Sequence, residues 1–217
     1  MPLLSINNWL SILRRYRLIG VIRANNSELG RKKAHALAKG GVRLIEITWN
    51  SYQPDELIAT LRKELPHCYI GTGTILSDDD LRRSIEAGVQ FCFTPHCDLN
   101  LLNVAHSHNI PMIPGAFSPT EIITAFKGGA KVVKVFPISS LGGVNYIKNI
   151  RAPLPHIPLI PTGGVTIDNA SDYIKAGSIA VGLSTDLFPQ KLIFDNNWDM
   201  IVERIEQIQQ LLVNIDH

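Results

Sequence analysis

Two charged side chains stand inside apolar, strand-like runs: Lys134 in VVKVFP (132–137) and Glu46 in LIEIT (44–48). Side chains alternate along a strand, so Lys134 shares a face with Val132 and Phe136. In a strand covered on both faces its ammonium would be largely desolvated. Desolvation penalises the charged form and pulls a lysine below its usual value of about 10.4. A neutral amine near pH 7 is what attack on a carbonyl requires, giving a Schiff base. Glu46, a lone carboxylate on another strand, is the candidate acid–base partner. The competing readings are a lysine that reaches out to the rim and a buried structural ion pair. Such pairs rarely stabilise a core more than apolar packing does, which favours the chemical reading.

Further residues offer places for anions. Arg23 ends the strand-like GVIRA, and Thr74 follows the third apolar run in GTGT (71–74). A guanidinium grips a carboxylate through its planar fork, and a hydroxyl with a glycine amide can complete the site. PTGGV (161–165) and GLS (182–184) follow the last two strand candidates. Adjacent glycines let backbone N–H groups approach an anion, and a helix start beyond them adds its dipole. Gly163 and Gly164 are the adjacent pair. No metal site is expected: His106 and His108 are two apart on an expected helix and diverge, and no ligand cluster accompanies them.

The elements that must hold these residues are set by a repeat. KGGVRLIEI from Lys39, EAGVQFCFT from Glu86, KGGAKVVKV from Lys127 and KAGSIAVGL from Lys175 each place a glycine before an apolar run. Glycine takes the left-handed conformation cheaply, so it can stop a helix and turn the chain into a strand. Gly41, Gly88, Gly129 and Gly177 fall 47, 41 and 48 residues apart, room for about two strand–helix units per gap. Strands are expected at Leu18–Ile22, Leu44–Thr48, 69–72, 91–94, 112–114, 132–136, Leu159–Pro161 and 179–181. Helices are expected between them. One covers 77–87 behind Ser-Asp-Asp-Asp, and one covers 118–127 with Pro119 at its first position. The proline-rich 151–161 reads as the loop into the seventh strand. Ile6, Trp9, Leu10 and Leu13 mark a helix before the first strand; Ile201, Ile205, Ile208 and Leu212 mark one at the end. The expectation is an α/β chain forming a single (β/α)8 TIM barrel domain over residues 1–217. Residues 1–17 carry an extra N-terminal helix, and 18–217 the barrel and C-terminal helix. An open doubly wound sheet is the rival, disfavoured because no GxGxxG follows the first strand.

Composition narrows the classes. The 217 residues are 45% hydrophobic and 18% charged, ordinary for a globular protein able to bury about 70% of its unfolded surface. Twenty-one basic against nineteen acidic residues leave +2, with no aromatic-studded basic tract, so nucleic acid is not an expected partner. Cys68, Cys92 and Cys97 are an odd count without a CxxC pair and read as thiols of a reducing compartment. Neither a signal peptide nor a run of about 20 apolar residues is present, so a cytoplasmic protein without membrane contact is expected.

Taken in order, VIRAN, GGVRLIEIT, IGTGT, FTPH, MIPGAFSPTE, KVVKVFP, PTGGV and VGLS resemble the 2-keto-3-deoxy-6-phosphogluconate aldolase family over about residues 18–187. That family includes 4-hydroxy-2-oxoglutarate aldolase and 2-keto-3-deoxy-6-phosphogalactonate aldolase activities. The resemblance implies a homotrimeric class I aldolase without cofactor, a carbon–carbon lyase that cleaves a phosphorylated 2-keto-3-deoxy sugar acid to pyruvate and glyceraldehyde 3-phosphate. It implies Lys134 as the Schiff-base lysine and Glu46 as the general acid/base acting through a water. It places Arg23 and Thr74 at the pyruvyl carboxylate, Pro95 and Phe136 against the pyruvyl group, and Thr162, Gly163, Gly164 and Ser184 at the phosphate end.

The chain departs from the family in places. Some members carry an arginine at the position of Asn50 and an aliphatic residue at that of Arg23, so here Arg23 must serve the carboxylate. FPISSLGG replaces the FPAE of gluconate-type members, and with WNS at 49–51 it leans toward the galactonate type. A gluconate-type substrate, with 4-hydroxy-2-oxoglutarate as a further one, is the expectation and the galactonate type its alternative. A thiamin-phosphate-synthase-like or isomerase-like phosphate-binding barrel would share the PTGG loop without needing Lys134. A silent ligand-binding barrel would bury Lys134 and Glu46 to no purpose, at a cost in stability.

Overall fold

Local chemistry starts and stops the elements as the sequence pattern requires. The computed structural model describes residues 5–215. The Ser118 hydroxyl accepts from the Glu121 N–H, and the Glu121 carboxylate accepts from the Ser118 N–H, a reciprocal cap that opens α6 (Pro119–Lys127) with proline at its first turn. Ser77 caps α4 (Asp78–Glu86) in the simpler way. Beyond the repeat helices, Gly41, Gly88, Gly129 and Gly177 have φ between +88° and +106°, the left-handed stop expected of them.

Among the described residues nine strands result: β1 (Leu18–Ile22), β2 (Leu44–Thr48), β3 (Tyr69–Gly73), β4 (Cys92–Phe93), β5 (Met112–Ile113), β6 (Gly115–Ala116), β7 (Val133–Val135), β8 (Leu159–Pro161) and β9 (Val181–Leu183). The other helices are α1 (Trp9–Tyr16), α2 (Ser27–Lys39), α3 (Pro54–Glu64), α5 (Leu99–Ser107), α7 (Val144–Arg151), α8 (Ala170–Lys175), α9 (Gln190–Phe194) and α10 (Trp198–Val213). Every strand pairing is parallel. One sheet runs β5-β4-β3-β2-β1-β9 and the other β6-β7-β8. Only Pro114 separates β5 from β6. Proline has no N–H to give the ladder, yet its carbonyl accepts from the Lys134 N–H at 2.9 Å. On the other side Thr162 pairs in parallel with Gly182, linking the end of β8 to β9. The chain is an α/β fold whose parallel sheet curls.

Two cores follow from this curl. The larger lies between strands and outer helices, where Leu37, Ile45, Ile58, Ile70 and Val133 are fully buried. The smaller lies on the concave side and contains Ile19, Leu44, Tyr69, Phe91, Phe93, Val132 and Ile160, together with Trp9, Ile12 and Leu13 of α1. Trp9 stacks on Phe91 with ring centroids 5.1 Å apart, so α1 covers the N-terminal end of the strands. At the other terminus Ile201, Ile205, Ile208 and Leu212 of α10 are buried, and the Gln209 amide donates to the Tyr16 carbonyl at 3.0 Å. Among the described residues no helix is long and apolar enough to cross a membrane.

Several boundaries differ from the sequence pattern. The last strand is Val181–Leu183, not 179–181, because Gly182 belongs to it. A Cβ there would meet the Thr162 hydroxyl at 2.6 Å, so close packing of β8 on β9, not strand propensity, selects that residue. The fourth strand shrinks to Cys92–Phe93, the third gains Gly73, the sixth is Val133–Val135, and the fifth breaks at Pro114. Ile6 lies in a turn before α1, and His108 caps α5 from outside the helix.

Candidate active site

Alternation along each strand carries the chain from apolar to reactive residues. Two positions beyond Leu44, Val132 and Ile160 come Glu46, Lys134 and Thr162 on the same faces, and two further come Thr48, Phe136 and Gly164. These last six line a cavity of about 590 Å³ at the C-terminal ends of the strands, together with Val21, Arg23, Thr74, Pro95, Gly163, Val165, Thr166, Gly182, Ser184, Thr185 and Asp186. All ten catalytic and substrate-binding candidates from the sequence line this one cavity.

Lys134 is 5% exposed and Glu46 3%, yet among the described residues no ion pair within 4 Å joins either to a partner. The Lys134 Nζ lies 4.5 Å from the centroid of the Phe136 ring and 5.8 Å from that of Phe93. Burial pushes the lysine below its ordinary pKa; Glu46 pulls it back up and Arg23 lowers it further. Burial likewise pushes Glu46 above the ordinary carboxylate range, against the pull of Lys134 and Arg23. Both groups are thus shifted toward their neutral forms, the direction that favours a nucleophilic amine and a carboxyl that carries a proton.

The backbone makes room for Glu46. A Cβ on Gly73 would collide with the Glu46 Oε1, so only glycine lets the carboxyl lie against β3. The next residue, Thr74, has φ +64°, a left-handed conformation that β-branched residues rarely adopt and that costs roughly 1–3 kcal/mol. Strain of this kind persists where the surroundings demand it, here where a hydroxyl is brought to the cavity wall. Arg23 is exposed at the mouth, its Nε donating to the Asn50 Oδ1 at 3.3 Å. Arg23 and Asn50 therefore face each other beyond the ends of β1 and β2.

At the opposite side Gly163 and Gly164 have φ of +80° and +97°. The Thr162 and Gly163 carbonyls accept from the N–H groups of Ile138 and Ser139, at 2.9 and 3.0 Å, turning this loop against the one after β7. Among the described residues the amides of Gly163 and Gly164 donate to no protein acceptor, which leaves them for an anion. Ser184 is half-buried beside them in the lining.

Sequence reasoning missed Thr48, Val21, Thr166, Thr185 and Asp186. The first two had a signal, since they lie two residues from Glu46 and Arg23 on the same strands. The others did not. Asp186 reaches the wall through its own tie, accepting from the Ile167 N–H at 2.7 Å. His106 and His108 take no part in the cavity, and among the described residues no group of three or more His, Cys, Asp or Glu could hold a metal ion.

Comparison with known proteins agrees with this geometry. The family model for KDPG and KHG aldolase matches residues 10–204. The 2-dehydro-3-deoxy-phosphogluconate aldolase of Pseudomonas aeruginosa is 32% identical over 197 residues, 91% of this chain and 89% of that protein. The crystal structure of the KDPG aldolase from Legionella pneumophila, with pyruvate captured at low pH as a covalent carbinolamine intermediate, is similar at a TM-score of 0.84 and 26% identity, covering 92% of this chain and 97% of that one. A native KDPGal structure matches at 0.78 and 29%, covering 90% and 92%. With a buried lysine and carboxyl in one cavity and a match spanning nearly its whole length, the chain belongs to the KDPG and KHG aldolase family.

Proposed function

We propose that this aldolase cleaves a 2-keto-3-deoxy-6-phospho sugar acid to pyruvate and glyceraldehyde 3-phosphate through a Schiff base on Lys134. The observation that carries the assignment is the placement of Lys134 and Glu46 on the wall of one cavity, both buried and, among the described residues, joined to no ion-pair partner within 4 Å. The Lys134 amine attacks C2, and loss of water from the carbinolamine leaves an iminium. The C3–C4 bond then breaks, its electron pair flowing into the iminium nitrogen to form an enamine. The C4 hydroxyl proton passes to Glu46 through a water and the aldehyde leaves. Glu46 returns a proton to C3, and hydrolysis of the new iminium frees pyruvate and Lys134.

In this reading Arg23 and Thr74 hold the carboxylate, and Pro95 and Phe136 flank the pyruvyl group. Thr162, the Gly163 and Gly164 amides and Ser184 receive the phosphate, in the place usual for a strand-seven and strand-eight phosphate seat. The fold belongs to the same proposal. β5 and β6 count as one strand bent at Pro114, and the Thr162–Gly182 pairing joins the two sheets, so the chain is read as a single (β/α)8 domain over residues 1–217 preceded by a helix. A homotrimer follows from the resemblance alone. A cytoplasmic location is supported by the three free cysteines, two of them buried with thiols pushed up to about 11 and about 12.

The gluconate-type acid is the proposed substrate and 4-hydroxy-2-oxoglutarate a further one. The galactonate type is the second reading, carried by FPISSLGG at 136–143 and WNS at 49–51. Retro-aldol cleavage of the two phosphorylated acids, assayed side by side by pyruvate release, decides between them. Faster cleavage of the gluconate-derived acid supports the first reading and the reverse order the second. Release of pyruvate from neither acid would refute both.

A further inference from the structure

Arg23 stands exposed at the mouth of the cavity, where a long side chain has many conformations to lose on holding a ligand. The chain beneath it is fixed. Ala24, the next residue, is buried, and both of its backbone polar groups are bonded by the segment that follows β2. The Ala24 N–H donates to the Ser51 Oγ at 3.2 Å, and the Ala24 carbonyl accepts from the Tyr52 N–H at 2.9 Å. The Ser51 hydroxyl is itself buried and shares a hydrogen bond with the Thr48 Oγ1 at 3.1 Å. Thr48 ends β2 and lines the cavity two positions beyond Glu46. On the other side the Trp49 N–H donates to the Gly73 carbonyl at 2.7 Å, one residue before the left-handed Thr74. Between these ties the Asn50 Oδ1 accepts from the Arg23 Nε at 3.3 Å. Residues 48–52 thus clasp β1 and β3 at the points from which Arg23 and Thr74 leave.

We propose that Ser51 is a positioning residue for the carboxylate end of the substrate, acting on Arg23 through Ala24 and through the loop that carries Asn50. Ser51 is not part of the cavity lining, so its effect passes through these neighbours. The inference rests on the reading of Arg23 and Thr74 as the carboxylate site. A hydroxyl suits the place chemically. It accepts from the buried Ala24 N–H and still has a proton and a lone pair to share with Thr48. Without the oxygen that N–H has lost its side-chain acceptor, and the guanidinium loses its fixed setting opposite Thr74.

The test measures borohydride trapping against concentration for pyruvate and for methyl pyruvate, whose ester carries no charge. Wild type, Ser51→Ala, Ser51→Thr, Arg23→Met and the double variant Ser51→Ala with Arg23→Met are compared. Ser51→Cys, with a weaker acceptor of similar size, replaces Ser51→Ala should that variant not fold. In Ser51→Ala the half-saturating pyruvate concentration should rise about tenfold, and in Ser51→Thr it should recover. The value for methyl pyruvate should move by less than about twofold, and Ser51→Ala should add little once Arg23 is methionine. Equal rises for both ketones, or none for pyruvate, overturn the proposal and leave Ser51 a purely structural role. If Arg23→Met weakens pyruvate and Ser51→Ala does not, only Ser51 is misassigned. If Arg23→Met leaves pyruvate unchanged, the carboxylate reading falls and the role of Ser51 with it.

Discussion

At the N-terminal ends of the strands the concave side holds Ile19, Leu44, Tyr69, Val132 and Ile160, with Trp9 stacked beneath on Phe91. Two residues further along the same strands stand Val21, Glu46, Gly71, Lys134 and Thr162. The alternation is the same at both ends, and the side chains are opposite in kind. Apolar area buried at one end stabilises the fold by roughly 25 cal/mol per Å². The other end holds a buried amine and a buried carboxyl, both pushed toward neutrality, and a threonine at φ +64°. Dividing the interior this way lets a stable half tolerate a reactive half, and one step of two residues along a strand decides which half a side chain joins.

Substitutions at the two ends should therefore fail in different ways. Glu46→Gln is expected to slow exchange of the pyruvate methyl protons with deuterated water about 10²–10⁴-fold while retaining Schiff-base trapping. Exchange at the wild-type rate, followed by NMR, would return Glu46 to a structural role. Trp9→Ala at the other end should cost about 3–5 kcal/mol in urea unfolding and leave trapping by the folded fraction intact. Lys134→Met, which preserves the volume of the stem, should cost less than about 1.5 kcal/mol in the same measurement, because among the described residues no ion pair within 4 Å is broken. A larger loss from Lys134→Met than from Trp9→Ala would erase the distinction between the ends.

The placement of the cavity's buried charges is legible in the sequence because a lone charge in an apolar strand run is costly to desolvate and so stands out. Lys134 and Glu46 announce themselves in this way, as do the helix stops at Gly41, Gly88, Gly129 and Gly177 and the cap at Ser118. What distant segments decide is not legible. Gly182 reads as a strand breaker until Thr162 is packed against it, and Pro114 reads as a strand residue until the ladder is seen to break there. Lys32 has Glu28 one turn before it, a pair legible in the sequence, whereas the contacts of Lys33 with Arg23 and Phe188 come from distant segments. Asn50 reads as a missing arginine, and becomes a partner of Arg23 once β1 and β2 lie side by side.

The central claim is that Lys134 carries the substrate covalently. Incubation with pyruvate and borohydride, followed by peptide mass spectrometry, tests it in one step. A mass increase of one reduced pyruvyl group confined to the peptide containing Lys134, and missing from Lys134→Met, is the predicted result. Modification of another lysine, or none at all under conditions that support turnover, would contradict the account.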